Sequence, residues 1–161
     1  YAQQLANTDG INLYLVHVVR DGRGVVHSRI RKDYRIGRLK SSPLSHLKRV
    51  FTVSRRWSWH RREFARLEQR LGGKAVRIQY EELCRDPQAA LQPVGDCLGL
   101  DFGAIGKSLG SGQPFKRVPH LIRGNEVLRS RSDIVLRHDT AYRTAMSRID
   151  RTIFRLAVWL P

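Results

Sequence analysis

Arg20 and Ser28 stand eight residues apart, with Asp21, Gly22, Arg23 and Gly24 between them. An arginine grips a phosphate through two parallel N–H bonds, and a serine hydroxyl adds one short bond. Residues 11–19 just before them are almost continuously apolar and rich in β-branched types. Such a run is expected to form a strand buried on both faces of a parallel sheet. Residues 20–24 break it with turn-forming residues, and Val25 and Val26 lead into Ser28, Arg29, Arg31 and Lys32, a basic helix. A strand that ends in a glycine-containing turn and opens a helix is a common anion site, because the helix start offers free N–H groups and partial positive charge. On charge alone, a surface turn with solvated arginines accounts for the same residues.

Two other stretches carry candidate chemistry. Tyr80 heads Tyr-Glu-Glu-Leu at the end of an alternating segment, residues 75–80. It reads either as a core tyrosine with a satisfied hydroxyl or as a ligand contact. Glu81 is placed to cap the next turn or to pair with an arginine. Further on come His120, Arg123, Gly124, Asn125 and Arg129. Gly124 permits close backbone approach and either arginine can add charge-assisted contacts, with a plain turn as the alternative.

The elements that position these residues follow from periodicity. Residues 1–10 read as the tail of a helix closed by Asn-Thr-Asp-Gly. Residues 33–45, with Gly37 and Pro43, read as a mobile basic loop. Residues 45–71 form the longest helical candidate, capped by Ser45 and stopped by Gly72-Gly73. Trp57, His60, Phe64, Leu67 and Leu71 share one of its faces, and Arg55, Arg56, Arg62, Arg66 and Arg70 the other. The stretch 75–80 alternates as a strand, and 87–98 is a helix with a break expected near Gln92 because of Pro93. Residues 101–118 are read as a short helical piece and a loop, and 139–159 as a last helix capped by Asp139.

A chain of 161 residues with 41% hydrophobic content is long enough for one domain with a core. It has no apolar run of membrane-spanning length. The formal charge of +16, mostly from arginine, favours anionic partners. No helix-turn-helix, zinc-finger or aromatic RNA-binding pattern is present, so nucleic acid is not the expected partner. Cys84 and Cys97 lack metal or redox spacing and read as free thiols of a reducing, cytoplasmic setting, with no metal expected.

The segment VVRDGRGVVHSR resembles the 3′-phosphate-binding segment of sulfotransferases that use 3′-phosphoadenosine 5′-phosphosulfate (PAPS). In that family an arginine ends a buried strand and a serine follows eight positions later, which Arg20 and Ser28 match. The resemblance extends, more weakly, over most of the chain. It implies that Tyr80 reaches the adenine end of the nucleotide and that Arg123, Gly124 and Asn125 lie near its phosphate end. Two departures stand out. The family tryptophan is Tyr142 here, and no asparagine follows Trp57 or Trp59.

The resemblance further implies an α/β, P-loop-NTPase-like three-layer fold with a parallel sheet, incomplete in this chain, and a helix-rich C-terminal half. Residues 1–161 would be one sulfotransferase-like domain shortened at the N-terminus. PAPS would be the co-substrate, and the acceptor a hydroxyl or amine of a carbohydrate or small metabolite. The family's phosphosulfate-binding loop has no counterpart in these residues. The stretch 103–111, GAIGKSLGS, follows no credible strand and has the wrong order. No catalytic residue can be named from the sequence, since His17 lies inside the strand and His120 is remote. The chain alone is therefore expected to be inactive or weakly active. A non-catalytic polyanion-binding module and a remnant of a P-loop kinase are the rival readings of the same charge.

Overall fold

The computed structural model describes residues 2–39, 42–116 and 133–160. In order they form helix α1 (Ala2–Ala6), strand β1 (Leu15–Val19), helices α2 (Gly22–Arg35) and α3 (Pro43–Leu71) and a 3₁₀ turn (Gly72–Lys74). Strand β2 (Ala75–Gln79) follows, then α4 (Tyr80–Arg85), α5 (Pro87–Leu98) and α6 (Gly103–Gly110). The last elements are β3 (Phe115–Lys116), β4 (Asp133–Ile134), α7 (Tyr142–Ala145) and α8 (Arg148–Trp159).

Strands β1 and β2 pair in parallel, with Leu15 opposite Ala75 and Val19 opposite Gln79. Parallel neighbours need a long crossover, which α2 and α3 supply. Alternation sends His17 and Arg77 to one face, where both bond Glu68 of α3. The His17 ring also lies 5.0 Å from that of Phe64. Val76 and Ile78 turn the other way, and α5 packs on β2. The expectation of a strand buried on both faces is corrected here: among the described residues β1 is covered on one face, and Val16 and Val18 remain 40% and 49% exposed. The strand is also shorter than the apolar run, because residues 11–14 do not pair.

The core lies between α2, α3 and α8. Val26 and Ile30, one turn apart on α2, meet Val50 of α3 and Met146, with Val53, Ile153 and Phe154 packed around them. Asp33 is almost wholly buried at the end of α2, its carboxylate held by Arg49. It therefore belongs to the helix and not to a mobile loop. Its carbonyl oxygen also accepts from the N–H groups of Arg38 and Leu39.

Other boundaries differ for local reasons. Helix α3 begins at Pro43, where proline suits a first helical turn, and not after Ser45. It stops at Gly72, whose φ of 53° an L side chain rarely adopts. Helix α5 runs through Pro93 without a break. Pro93 and Ala89 are both exposed, so water can satisfy the Ala89 carbonyl that the proline leaves unpaired. Asp139 caps no long helix: residues 142–159 form two helices, the second capped by the Ser147 hydroxyl. The pair β3 and β4 was not foreseen. The glycine-rich stretch 103–111 is largely helix α6, not a phosphate loop. A Cβ on Gly106 would fall 2.8 Å from Gln88 Cα, so its bareness serves the contact between α5 and α6.

Candidate functional site

The register of the sheet builds the site. Val19 and Gln79 form the last rung, so Arg20 and Tyr80 leave the sheet side by side at its carboxyl edge. Strands sit about 4.8 Å apart, which brings the two side chains into contact. The Arg20 guanidinium lies 4.9 Å above the Tyr80 ring. Tyr80 opens α4, and its hydroxyl donates to the Arg137 carbonyl at 2.7 Å. Burial, then the neighbouring Cys84, push its phenol up to about 12, so it stays a protonated donor.

Helix α2 begins two residues after Arg20, and Asp21 caps it by accepting from the Arg23 N–H at 2.9 Å. The basic helix thus starts earlier than its charge pattern implied, and both glycines sit in its first turn. Each has a reason there. A Cβ on Gly22 would meet Phe154 at 2.7 Å and Trp57 at 2.8 Å, while one on Gly24 would meet Tyr142 at 3.1 Å and Arg20 Nε at 3.3 Å. Arg20 therefore lies across the first turn of α2, directly over Gly24. Ser28 is one turn further along that face and exposed. A guanidinium and an exposed hydroxyl thus share one side of one helix, with buried Gly24 beneath the arginine.

The turn is fixed from beneath. Glu81 accepts from the Asp21 backbone N–H at 3.0 Å, which ties the end of β1 to the start of α4. Of its two expected roles, capping the next turn or pairing with an arginine, it takes neither among these contacts. Buried Tyr142 donates its hydroxyl to the Asp21 carboxylate at 3.0 Å. Burial works against the charge of Asp21, but bonds from Arg23 and Tyr142 outweigh it and hold the carboxyl below its usual value.

Arg20 has an anion already. Its Nη2 bonds the Asp139 carboxylate at 3.3 Å and the Asp139 carbonyl at 3.2 Å. A bond from the Ala141 N–H, then Arg20 itself, lower the Asp139 carboxyl despite some burial. Beside this seat, at the ends of β1 and β2, is a cleft of about 390 Å³. Arg20, Glu81, Trp57, Arg61, Tyr142 and Arg143 line it. Arg20 is the anion-binding group common to seat and cleft. Tyr80 and Ser28 do not line the cleft, so the larger space extends away from them.

Of the residues predicted from sequence, Arg20 and Tyr80 come together, and Ser28 stands on the helix face that Arg20 crosses. Arg123, Gly124 and Asn125, with His120, lie outside the described residues. Sequence reasoning missed Asp139, Arg61, Arg143 and the Asp21–Tyr142 bond, all long-range in sequence. No local pattern signals any of them, because each depends on how elements distant in sequence pack at the sheet edge. Among the described residues no group of histidines, cysteines and carboxylates is gathered as a metal site, and no helix is long and apolar enough to cross a membrane.

A parallel strand pair whose carboxyl edge presents an arginine over the glycine-containing start of a helix makes this an α/β protein with a candidate anion seat. The model of the sulfotransferase family matches residues 12–104, more than half of the chain, and the chain belongs to that family. The matched span holds Arg20, Ser28, Tyr80 and Glu81. No curated protein and no solved structure matches the chain.

Proposed function

We propose that these residues supply the nucleotide side of a sulfotransferase site, which uses PAPS to place a sulfonate group on a hydroxyl or amine of a carbohydrate or small metabolite. One observation carries the reading: Arg20, at the edge of the sheet, lies over Gly24 with its guanidinium on a carboxylate, while Ser28 stands exposed one turn on. The carboxylate oxygen is an internal stand-in for a phosphate oxygen, so the residues present fit an anion. In this reading Arg20 and Ser28 hold the 3′-phosphate, and Tyr80 lies toward the adenine. Arg123, Gly124 and Asn125 approach the phosphate end, in a three-layer fold of the P-loop kind.

PAPS supplies the sulfonate group and its leaving phosphate. The part played by this chain is to bind and orient, which is the larger share of catalysis in such transfers. Glu81 and Tyr142 support that role by locking the turn that aims Arg20. The acceptor's proton needs a base. His17 does not serve, because its ring packs tilted against Phe64 and is bonded to Glu68 on the covered sheet face. With no phosphosulfate loop in its sequence, the 161-residue chain should bind nucleotide yet transfer little sulfate.

The net charge of +16 favours a second reading, a non-catalytic module for polyanions. Competition among adenosine 3′,5′-bisphosphate, ATP and heparin separates the two. Preference for the bisphosphate, weakened by Arg20→Ala, supports the nucleotide site. Equal loss of heparin and bisphosphate binding in that variant supports the module. Ordinary turnover of labelled PAPS by the isolated chain would contradict the binding-only role.

A further inference from the structure

Two of the three side chains proposed to meet the nucleotide, Arg20 and Tyr80, are occupied by one short segment of the chain. Arg20 is held by the carboxylate and carbonyl of Asp139. Tyr80 is held by the carbonyl of Arg137, two residues earlier. The segment thus presents acceptors to the arginine and the tyrosine that would meet the nucleotide. Asp139 is itself braced, because its other carboxylate oxygen accepts from the Ala141 N–H at 3.0 Å. The Arg20–Asp139 pair is partly exposed, with side chains 24% and 47% accessible, so it can open at modest cost.

A carboxylate carries one negative charge. A phosphate monoester carries close to two at neutral pH and offers three strong acceptor oxygens. A free singly charged anion does not displace from Arg20 a carboxylate already tethered to the chain, whereas a doubly charged phosphate does. We propose that Asp139 is the specificity-determining residue of this seat, an internal carboxylate that yields Arg20 to a phosphate monoester and not to singly charged anions. The inference rests on the nucleotide reading above. It goes beyond it by assigning a competitor within the chain, so Asp139 sets which anions can enter.

The test is calorimetric titration of the whole chain at about 0.15 M salt, where charges beyond roughly 8 Å are largely screened. The proteins are wild type, Asp139→Asn, Asp139→Ser and, as a control for the general field, Glu82→Gln, an exposed carboxylate on α4. Asparagine and serine keep an oxygen for the Ala141 N–H, so the turn is retained. The ligands are adenosine 3′,5′-bisphosphate and adenosine 5′-monophosphate, with formate as the singly charged competitor. Both Asp139 variants should bind the bisphosphate roughly two- to fivefold more tightly. Formate should compete with it in those variants but not in wild type, and the monophosphate, which has no 3′-phosphate to reach Arg20, should be unaffected. A gain no larger than that of Glu82→Gln, or formate competition equal in all proteins, overturns the inference while leaving the seat intact. If no protein prefers the bisphosphate to the monophosphate, the nucleotide reading falls and this inference falls with it.

Discussion

Gly24→Ala separates binding from folding. A Cβ at this position would lie 3.1 and 3.2 Å from two ring atoms of Tyr142 and 3.3 Å from Arg20 Nε. These distances are short by a few tenths of an ångström, so a neighbour must yield. The tighter contacts are with Tyr142, which is buried and bonded to Asp21 and yields little, so the helix start shifts away from that ring and displaces the partly exposed Arg20. Alanine in place of a helical glycine gains roughly 0.5–1 kcal/mol. The local overlap costs about 1 kcal/mol, at the lower end of overpacking penalties. The two nearly cancel, and the melting temperature should change by no more than about 5 °C. Binding has no such compensation. A full charged hydrogen bond contributes about 1.5–3 kcal/mol. A displaced Arg20 that loses about a third of this should bind adenosine 3′,5′-bisphosphate roughly two- to fivefold more weakly. Thermal unfolding and calorimetry on the same preparation read both quantities. Unchanged affinity at unchanged stability would refute the reasoning that Arg20, lying over Gly24, grips the ligand.

Gly22→Ala tests the same turn from the other side. Its Cβ would overlap the rings of Trp57 and Phe154, so a stability loss of about 1–3 kcal/mol is expected in denaturant melts. Tyr142→Phe removes the hydroxyl bonded to Asp21 and should cost about 1 kcal/mol, with weaker nucleotide binding because the turn is loosened. Glu68 is held below its ordinary value of 4.5: burial opposes its charge, but bonds from Arg77 and His17 prevail. A depressed carboxyl stabilises fully above pH 4.5, and the contribution is lost as pH falls through the folded value. Glu68→Gln should therefore be less stable than wild type at neutral pH, and the gap should narrow below about pH 4. A gap undiminished at about pH 3 would show that charge is not its source.

The sequence carried the local parts of the fold well and the distant parts poorly. The apolar run before Arg20, the proline and glycines around residues 43–73 and the alternation at residues 75–79 all mark elements through short-range sterics and burial. The eight-residue spacing of Arg20 and Ser28 is likewise local, one strand end and one and a half helical turns. Pro93 misled because an interior proline removes one bond, and on an exposed helix side water replaces it. Asp139 misled because its carboxylate bonds the backbone N–H of Ala141, two residues on, without capping a long helix, and its other partner is an arginine 119 residues away. The exposure of Val16 and Val18 was also hidden, since an apolar run says what a strand can bury and not what lies on each face. The Arg61 and Arg143 lining of the cleft depends on how α3 and α7 approach the sheet edge, which no periodicity encodes.

The 3′-phosphate can be located directly in crystals of the chain grown with adenosine 3′,5′-bisphosphate. The expected result is a phosphate within about 3.2 Å of both the Arg20 guanidinium and the Ser28 hydroxyl, with Asp139 withdrawn from Arg20. A phosphate bound elsewhere, with the Arg20–Asp139 pair intact, would contradict it.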